Sequence, residues 1–545
     1  VGMNAFLETK TDIFMEGSIV VIASFSVIAL LYSIIKYDSW RRRNILKDVP
    51  ITPDGKWEIV GKKDPVSLEK VPLLVKEMRE SFFTHKTFDI NKRIEQLNAL
   101  LRLLEENTDE ILAVMGKDLN RNEFEGFLYD VGVVKAEIKD LIKHLPEWST
   151  PRCYDRSVLT LFSRGYLVPQ PYGVVLVIGT WNYPFMLTLM PLAAALSAGN
   201  VVVVKPSNVS PTCSKLISRL LREYMDPTIV QVIGSELPGD RNTTTALLEE
   251  KFDYIFFTGN HNVGRVVMEK AAKHLTPVTL ELGGKNPVIV TKHADVYRAA
   301  KRILCFRTYN GGQQCVSPDY VLVEKEVEEE FYEAIRRVEK ECFAEAKEQI
   351  GHIVDKRHFD TIVDFYDRSE NSIAEVIVGG KSNFDAKNLF IPPTVLRMKD
   401  LECPLMTEEL FSPILPVYAV DSYRDAIALC NQREKPLSLY IFSDNQKEVE
   451  DIAFATDSGG VTVNYCLLHV IHPNLYFGGV GQSGMGRYHG KYSFETFSHF
   501  KPVVYKTKWP GIPFIADFPL MYYPLTEWKC KVAKLQIGRA SCRER

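Results

Sequence analysis

Between residues 174 and 273, short apolar runs alternate with stretches of helical spacing, and this alternation constrains the fold more than any other feature of the chain. Val174–Ile178 predicts a buried strand, Met186–Ala198 a helix closed by Gly199, and 201–204 a second strand. Pro206 interrupts the chain ahead of a helix near 212–224; a strand over 254–257 and a helix over 264–273 complete the series. Strands that are apolar throughout, each followed by a helix, predict a parallel sheet covered on both faces. A second α/β set is expected from 288 to about 417, with strands at 320–323 and 375–378 between charged helices. Before the sheet, 67–143 reads as helical, with Leu97, Leu101 and Leu104 and then Ile111, Leu112 and Met115 at spacings of three and four. After it, 436–477 reads as strands and turns and is expected to return to the first domain.

Composition removes several classes of function. A chain of 545 residues, 46% hydrophobic, has ample material for several domains. Its formal net charge of -3 leaves no basic field, so no nucleic-acid partner is expected. The ten cysteines form no CxxC pair, which predicts free thiols in a reducing compartment. No His/Cys cluster has zinc spacing, so no metal site is expected.

The two ends stand apart from the fold. Residues 19–35, IVVIASFSVIALLYSII, carry no charge and as a helix would span roughly 26 Å. Lys36, Arg41, Arg42, Arg43 and Lys47 follow, predicting a retained single-pass membrane anchor of the endoplasmic-reticulum kind with the rest of the chain cytosolic. At the other end, 537–545 (IGRASCRER) resembles one reading frame of a sequencing adapter, so a different native C-terminus is expected and nothing is read into Cys542. The aromatic stretch 509–524 reads equally as a substrate-gating or membrane-touching element or as a dimer strap.

Four stretches carry chemistry. NGGQQCVSPDY, 310–320, contains paired glycines whose turn would bring Cys315 to the head of a helix, where the dipole lowers a thiol's pKa. A lone cysteine is more often a core residue, so its partners matter. In TLELGGKNP, 279–287, Glu281 lies at a strand end beside a glycine turn, where a partly desolvated carboxylate serves as a general base; capping a turn is the commoner role. FFTGNHNVG, 256–264, follows a strand and opens a helix, although Gly259 and Gly264 do not make a GxGxxG pattern. VVVVKPSN, 201–208, ends a strand in Lys205, at the sheet edge where ligands of open α/β folds bind.

Together with GTWNYP (179–184), EELFSP (408–413) and FGGVGQSGMGRYHGKYSFETFSH (477–499), these segments resemble the aldehyde dehydrogenase superfamily over roughly 66–510, and the last of them its class 3 and fatty-aldehyde branch. The resemblance implies an aldehyde dehydrogenase-like α/β fold: a Rossmann-like cofactor domain, a catalytic domain and a small β oligomerisation arm. The expected boundaries are 1–65 for anchor and linker, 66–287 for the helical segment and cofactor domain, and 288–435 for the catalytic domain. The return and arm follow over 436–515, then a tail over 516–536. It implies Cys315 as nucleophile, Glu281 as general base and Asn182 as oxyanion donor. Lys205, Ser207, Gly259, Gly264, Glu409, Phe411 and Trp181 are the implied binders of NAD. Asn208 stands where the family often has Glu, so NADP is expected to be tolerated as well. The implied substrate is a medium- to long-chain aldehyde, the implied assembly a homodimer. The alternatives are a broad-specificity aldehyde scavenger, a membrane-anchored scaffold with a silent site, and a cofactor-free thiol hydrolase.

Overall fold

A computed structural model of the chain describes residues 67–154, 163–234, 240–506 and 522–541. The described residues fall into two compact units, one drawn from 67–148 and 170–499, the other from 149–169 and from 500 onward.

The first unit opens with helices Val71–Phe83, Ile90–Glu106, Thr108–Leu119 and Val133–Trp148. Ile90–Glu106 starts where the Asp89 carboxylate accepts the Asn91 N–H, satisfying a donor that the helix cannot. Its buried face runs through Leu97, Leu100 and Leu104 rather than through Leu101. A six-stranded sheet follows, in the order Gly484–Met485, Val278–Leu282, Tyr254–Gly259, Val174–Ile178, Val201–Lys205, Val230–Val232. All are parallel except Gly484–Met485, which runs antiparallel with Gly484 opposite Glu281. Val174 to Val177 and Val201 to Val204 are wholly buried, as expected of strands covered on both faces. Helix Met186–Ala198 is apolar but for Thr188 and Ser197 and is buried from Leu187 onward. Beyond its C-terminus, the buried Arg93 donates to the Ser197 carbonyl at 3.3 Å, a cation set against the negative end of the helix.

The second sheet of this unit has seven strands, in the order Ile373–Val378, Thr394–Met398, Ile414–Val420, Tyr320–Glu324, Pro287–Val290, Ser438–Phe442, Gly460–Val463. Only Ile373–Val378 is antiparallel to its neighbour. This corrects one expectation. The strands of 436–477 do not return to the first sheet but extend the second, Tyr440 pairing with Val288. Only at Gly484–Met485 does the chain rejoin the first sheet. Local patterning announces a strand but carries no information about which sheet edge it will join.

The other unit holds most of a three-stranded sheet, Arg152–Tyr154, Ser163–Pro171 and Ser498–Lys506, in which the rings of Tyr166 and Tyr505 meet edge-on at 5.8 Å. It also contains helix Glu527–Ser541, which runs through position 537 without a break. Among the described residues no helix is long and apolar enough to cross a membrane. The run 19–35 lies outside them, as does most of 509–524.

Candidate active site

The loop that carries Cys315 is fixed by its glycines and by side chains from four directions. Helix Val296–Thr308 ends, and Asn310, Gly311 and Gly312 take left-handed φ values of 53°, 61° and 76°. At Gly312 a Cβ would stand 2.2 Å from the carbonyl carbon of Ser412, so both its conformation and its surroundings require glycine. Gln313 donates to the carbonyls of Asn310 at 2.9 Å and His352 at 2.8 Å, and Gln314 to those of Phe306 and Tyr309 at 2.9 and 3.0 Å. Downstream, Asn286 donates to the carbonyls of Cys315 and Ser317, Tyr440 to that of Val316, and Arg307 to that of Pro318.

Cys315 is half-buried and lies in a turn between helix and strand Tyr320–Glu324, not at the head of a helix. The expectation of a dipole-lowered thiol is therefore corrected. Burial, and then the charges of Glu409 and Glu281, push the thiol up to about 12, although the main-chain N–H groups of Cys315 and Val316 favour the thiolate. Glu281 lies in strand Val278–Leu282 and is 4% exposed. Neither of its carboxylate oxygens has a hydrogen-bond partner among the described residues. Burial alone holds its carboxyl well above the usual range. Tyr488 is buried, and that burial, followed by the charges of Glu281 and Cys315, holds its hydroxyl well above the usual range.

Asn182 follows strand Val174–Ile178 and is 3% exposed. Its side-chain amide donates to the Gln313 carbonyl at 3.0 Å, which ties it to the cysteine loop and leaves a second N–H on the same nitrogen.

Of the residues expected to hold the cofactor, Lys205, Ser207, Gly259 and Gly264 stand at or just beyond the C-terminal ends of the first sheet's parallel strands, while Glu409 and Phe411 come from the segment ahead of strand Ile414–Val420. Lys205 is 1% exposed and ends its strand opposite Ile178, and the Gly179 N–H donates to its carbonyl at 3.0 Å. Ser207 follows and accepts the Val209 N–H at 3.3 Å. Gly259 closes its strand opposite Leu282, and Gly264 lies in the first turns of helix His261–Ala272, capped by Asn260 accepting from Val263. The indole of Trp181 and the ring of Phe411 are 5.9 Å apart. Glu409 accepts the Gly284 N–H at 3.1 Å, and a Cβ at Gly283 would fall 2.2 Å from its carboxylate oxygens. Burial and the nearby Asp319 charge push its carboxyl up to about 8. An ammonium, a hydroxyl, a carboxylate and a helix N-terminus at one sheet edge, flanked by two aromatic rings, fit the diols, pyrophosphate and flat ring of a dinucleotide.

Sequence reasoning overlooked the support beneath these residues. Asp319 is 2% exposed and lies within 2.7 Å of Arg307 and 3.2 Å of Lys285. It also accepts the Leu410 N–H at 3.3 Å, joining the cysteine loop to the Glu409 segment. Asn286 and Lys285 stand inside the TLELGGKNP motif, where the only signal was their adjacency to Gly283 and Gly284. The four histidines of the C-terminal motif region do not share one environment. His469 and His489 are buried and held down to about 4 by that burial, while His472 and His499 are exposed. Tyr465 packs on Phe306 at 5.2 Å, beneath the Arg302 guanidinium.

Comparison with known proteins finds relatives over most of the chain. The sequence model of the aldehyde dehydrogenase family matches residues 47–503. "Aldehyde dehydrogenase family 3 member A2" of Pongo abelii is 42% identical over 438 residues, covering 80% of this chain and 88% of the relative. "Aldehyde dehydrogenase, dimeric NADP-preferring" of Rattus norvegicus is 42% identical over 436 residues, covering 79% and 94%. Among solved structures, "Substrate bound state of Staphylococcus Aureus AldH" superposes with a TM-score of 0.80 at 35% identity, covering 86% of this chain and 99% of that one.

Proposed function

The chain belongs to the aldehyde dehydrogenase family, and on that premise we propose that it oxidises medium- to long-chain aliphatic aldehydes to carboxylic acids, with NAD or NADP, through a covalent intermediate on Cys315. The observation that carries the assignment is the pairing of a thiol in a rigid loop with a buried carboxylate, Glu281, whose oxygens have no hydrogen-bond partner among the described residues. A carboxylate placed there for stability would be hydrogen-bonded, because burying it unpaired costs on the order of several kcal/mol.

In this reading Glu281 takes the proton of Cys315, so that one negative charge rather than two occupies the site. The sulfur then attacks the aldehyde carbonyl, and the main-chain N–H of Cys315 and the remaining N–H of Asn182 receive the oxyanion, a contribution of about 3 kcal/mol. Lys205 and Glu409 would hold the ribose hydroxyls of the cofactor, and Trp181 and Phe411 would lie by its ring. NAD(P), when bound, would supply the hydride acceptor that turns the adduct on Cys315 into a thioester. Glu281 releases the cysteine's proton to solvent and then draws one from water, whose oxygen attacks the thioester and frees the acid; the departing sulfur takes that proton back from Glu281 as the thiol.

The apolar run 19–35 supports the lipid side of the reading: an anchored site meets long-chain aldehydes where they partition, in the bilayer. A homodimer is proposed with it, the rat relative being dimeric by name. The test is NADH and NADPH formation by the full chain in detergent, with aldehydes from hexanal to hexadecanal, beside Cys315→Ala. Cysteine-dependent turnover that rises with chain length supports the whole proposal. Turnover confined to short aldehydes would remove the lipid preference, and turnover retained by Cys315→Ala would remove the mechanism.

A further inference from the structure

Beneath Asn182 lies an ion pair that no step of the proposed reaction touches. Arg121, just after helix Thr108–Leu119, and Asp130, in the short helical segment Gly126–Gly132, are both fully buried in their side chains. Arg121 donates through Nη1 to Asp130, through Nε to the Asn310 side chain at 3.1 Å, and through Nη2 to the main-chain carbonyl of Asn182. Its guanidinium also lies 4.4 Å over the ring of Tyr183. Asp130 turns its other oxygen to the main-chain N–H groups of Phe185 and Met186, at 3.1 and 2.9 Å. One ion pair therefore grips the 182–186 segment at both of its ends. Asn310 closes the circuit: its amide donates to the Asn182 carbonyl at 3.0 Å and to the Gln313 carbonyl at 3.2 Å, the atom that Asn182 itself binds.

Stability does not account for this arrangement. A buried ion pair is seldom better than apolar side chains of equal volume, because desolvation offsets the Coulombic gain. What the guanidinium does supply is a planar fork with fixed donor directions, here aimed at three acceptors at once. An amide that must meet an oxyanion in the transition state and not before depends on such fixed support, since a displacement of about 1 Å costs about a hundredfold in rate.

We propose that Arg121 is the positioning residue for Asn182, holding its main chain so that the free N–H of its side chain faces the carbonyl under attack at Cys315. The inference rests on the oxyanion role proposed above for Asn182.

The experiment is a double-mutant cycle on the full chain, with Arg121→Met, Asn182→Ala and the pair, each checked by thermal melting. Arg121→Met is expected to lower kcat about a hundredfold, as loss of one oxyanion donor does, with KM for NAD changed less than about threefold. In the Asn182→Ala background the same change is expected to cost less than about threefold, because the residue it serves is already gone. Alkylation of Cys315 by iodoacetamide, followed on its peptide, is expected to keep the parental rate in Arg121→Met. Arg121→Lys, which keeps the charge without the fork, is expected to recover part of the loss, and it replaces Met in the cycle should Arg121→Met not fold. Losses that multiply across the cycle, or alkylation that falls together with kcat, would overturn the inference. An undiminished kcat in Asn182→Ala alone would instead refute the oxyanion role itself, and this inference with it.

Discussion

The side-chain amide of Asn286 donates to the main-chain carbonyl of Cys315 at 2.8 Å, so the proposed nucleophile is held by a residue from the segment just after Glu281. The same amide reaches the Ser317 carbonyl at 3.0 Å, and its oxygen accepts the Ser438 N–H at 2.9 Å. Asn286→Ala leaves these three buried groups without partners, at about 1–3 kcal/mol each when water cannot replace the amide. The expected outcome is a clear fall in melting temperature and a kcat at least about tenfold lower. Asn286→Asp keeps the acceptor and loses the donors, and it is expected to lose activity as well. Wild-type kcat in Asn286→Ala would mean that the other supports of the loop suffice.

The acid–base behaviour of the site follows from burial. The Cys315 thiol is pushed up to about 12 by burial and then by the charges of Glu409 and Glu281, and burial holds the Glu281 carboxyl well above its usual range. The acting form of each is the deprotonated one, and a raised pKa means that this form is gained as pH rises and lost as it falls. Alkylation of Cys315 in the absence of substrate and cofactor is therefore expected to keep climbing from about pH 7 to about pH 10, where an ordinary thiol would level off just above about 8.5. Glu281→Gln removes a negative neighbour, so its alkylation curve is expected to shift toward lower pH while turnover falls about a hundredfold or more. A plateau below about pH 8.5 in the parent would contradict this.

Cofactor choice is expected to turn on Asn208. It follows Ser207 beyond strand Val201–Lys205, half-exposed and neutral, with its side-chain oxygen 3.5 Å from the Ser214 hydroxyl. A neutral side chain there tolerates a 2′-phosphate, whereas a carboxylate would accept from a 2′-hydroxyl and repel a phosphate. Asn208→Glu is expected to lower kcat/KM for NADP at least about tenfold relative to that for NAD. Steady-state kinetics with both cofactors decide it, and an unchanged ratio would place the discriminating contact elsewhere.

Where the sequence pattern is strong, the structure is legible in it. Val174–Ile178 and Met186–Ala198 form with the expected boundaries, because a run of β-branched residues and a long apolar stretch ended by Gly199 leave little choice of conformation. The proposed site residues stand out through motifs, and the structure brings Asn182 to the cysteine loop and Trp181 to Phe411. Less is visible of what surrounds them. Arg121 sits in a polar stretch, LNRNEF, within the region that reads as helical, where nothing sets it apart from a surface arginine, and only tertiary packing makes it buried. The turn at Cys315 reads as a helix start because paired glycines announce a reversal of the chain without specifying the conformation beyond it.

The pairing of Gly484 with Glu281 also bears on how the protein comes into being. The strand holding the proposed base gains its outer neighbour only from a segment synthesised long after it, and the Asn286 contact with Ser438 makes the same demand. A nascent chain emerging from the ribosome therefore carries the Cys315 thiol through the synthesis of the 170 residues up to Met485 without the walls that give that thiol its chemistry. Reactivity arrives only once Gly484 and Met485 have been made, as one event, and a chain released before Met485 is a fragment in need of disposal, not a weaker enzyme.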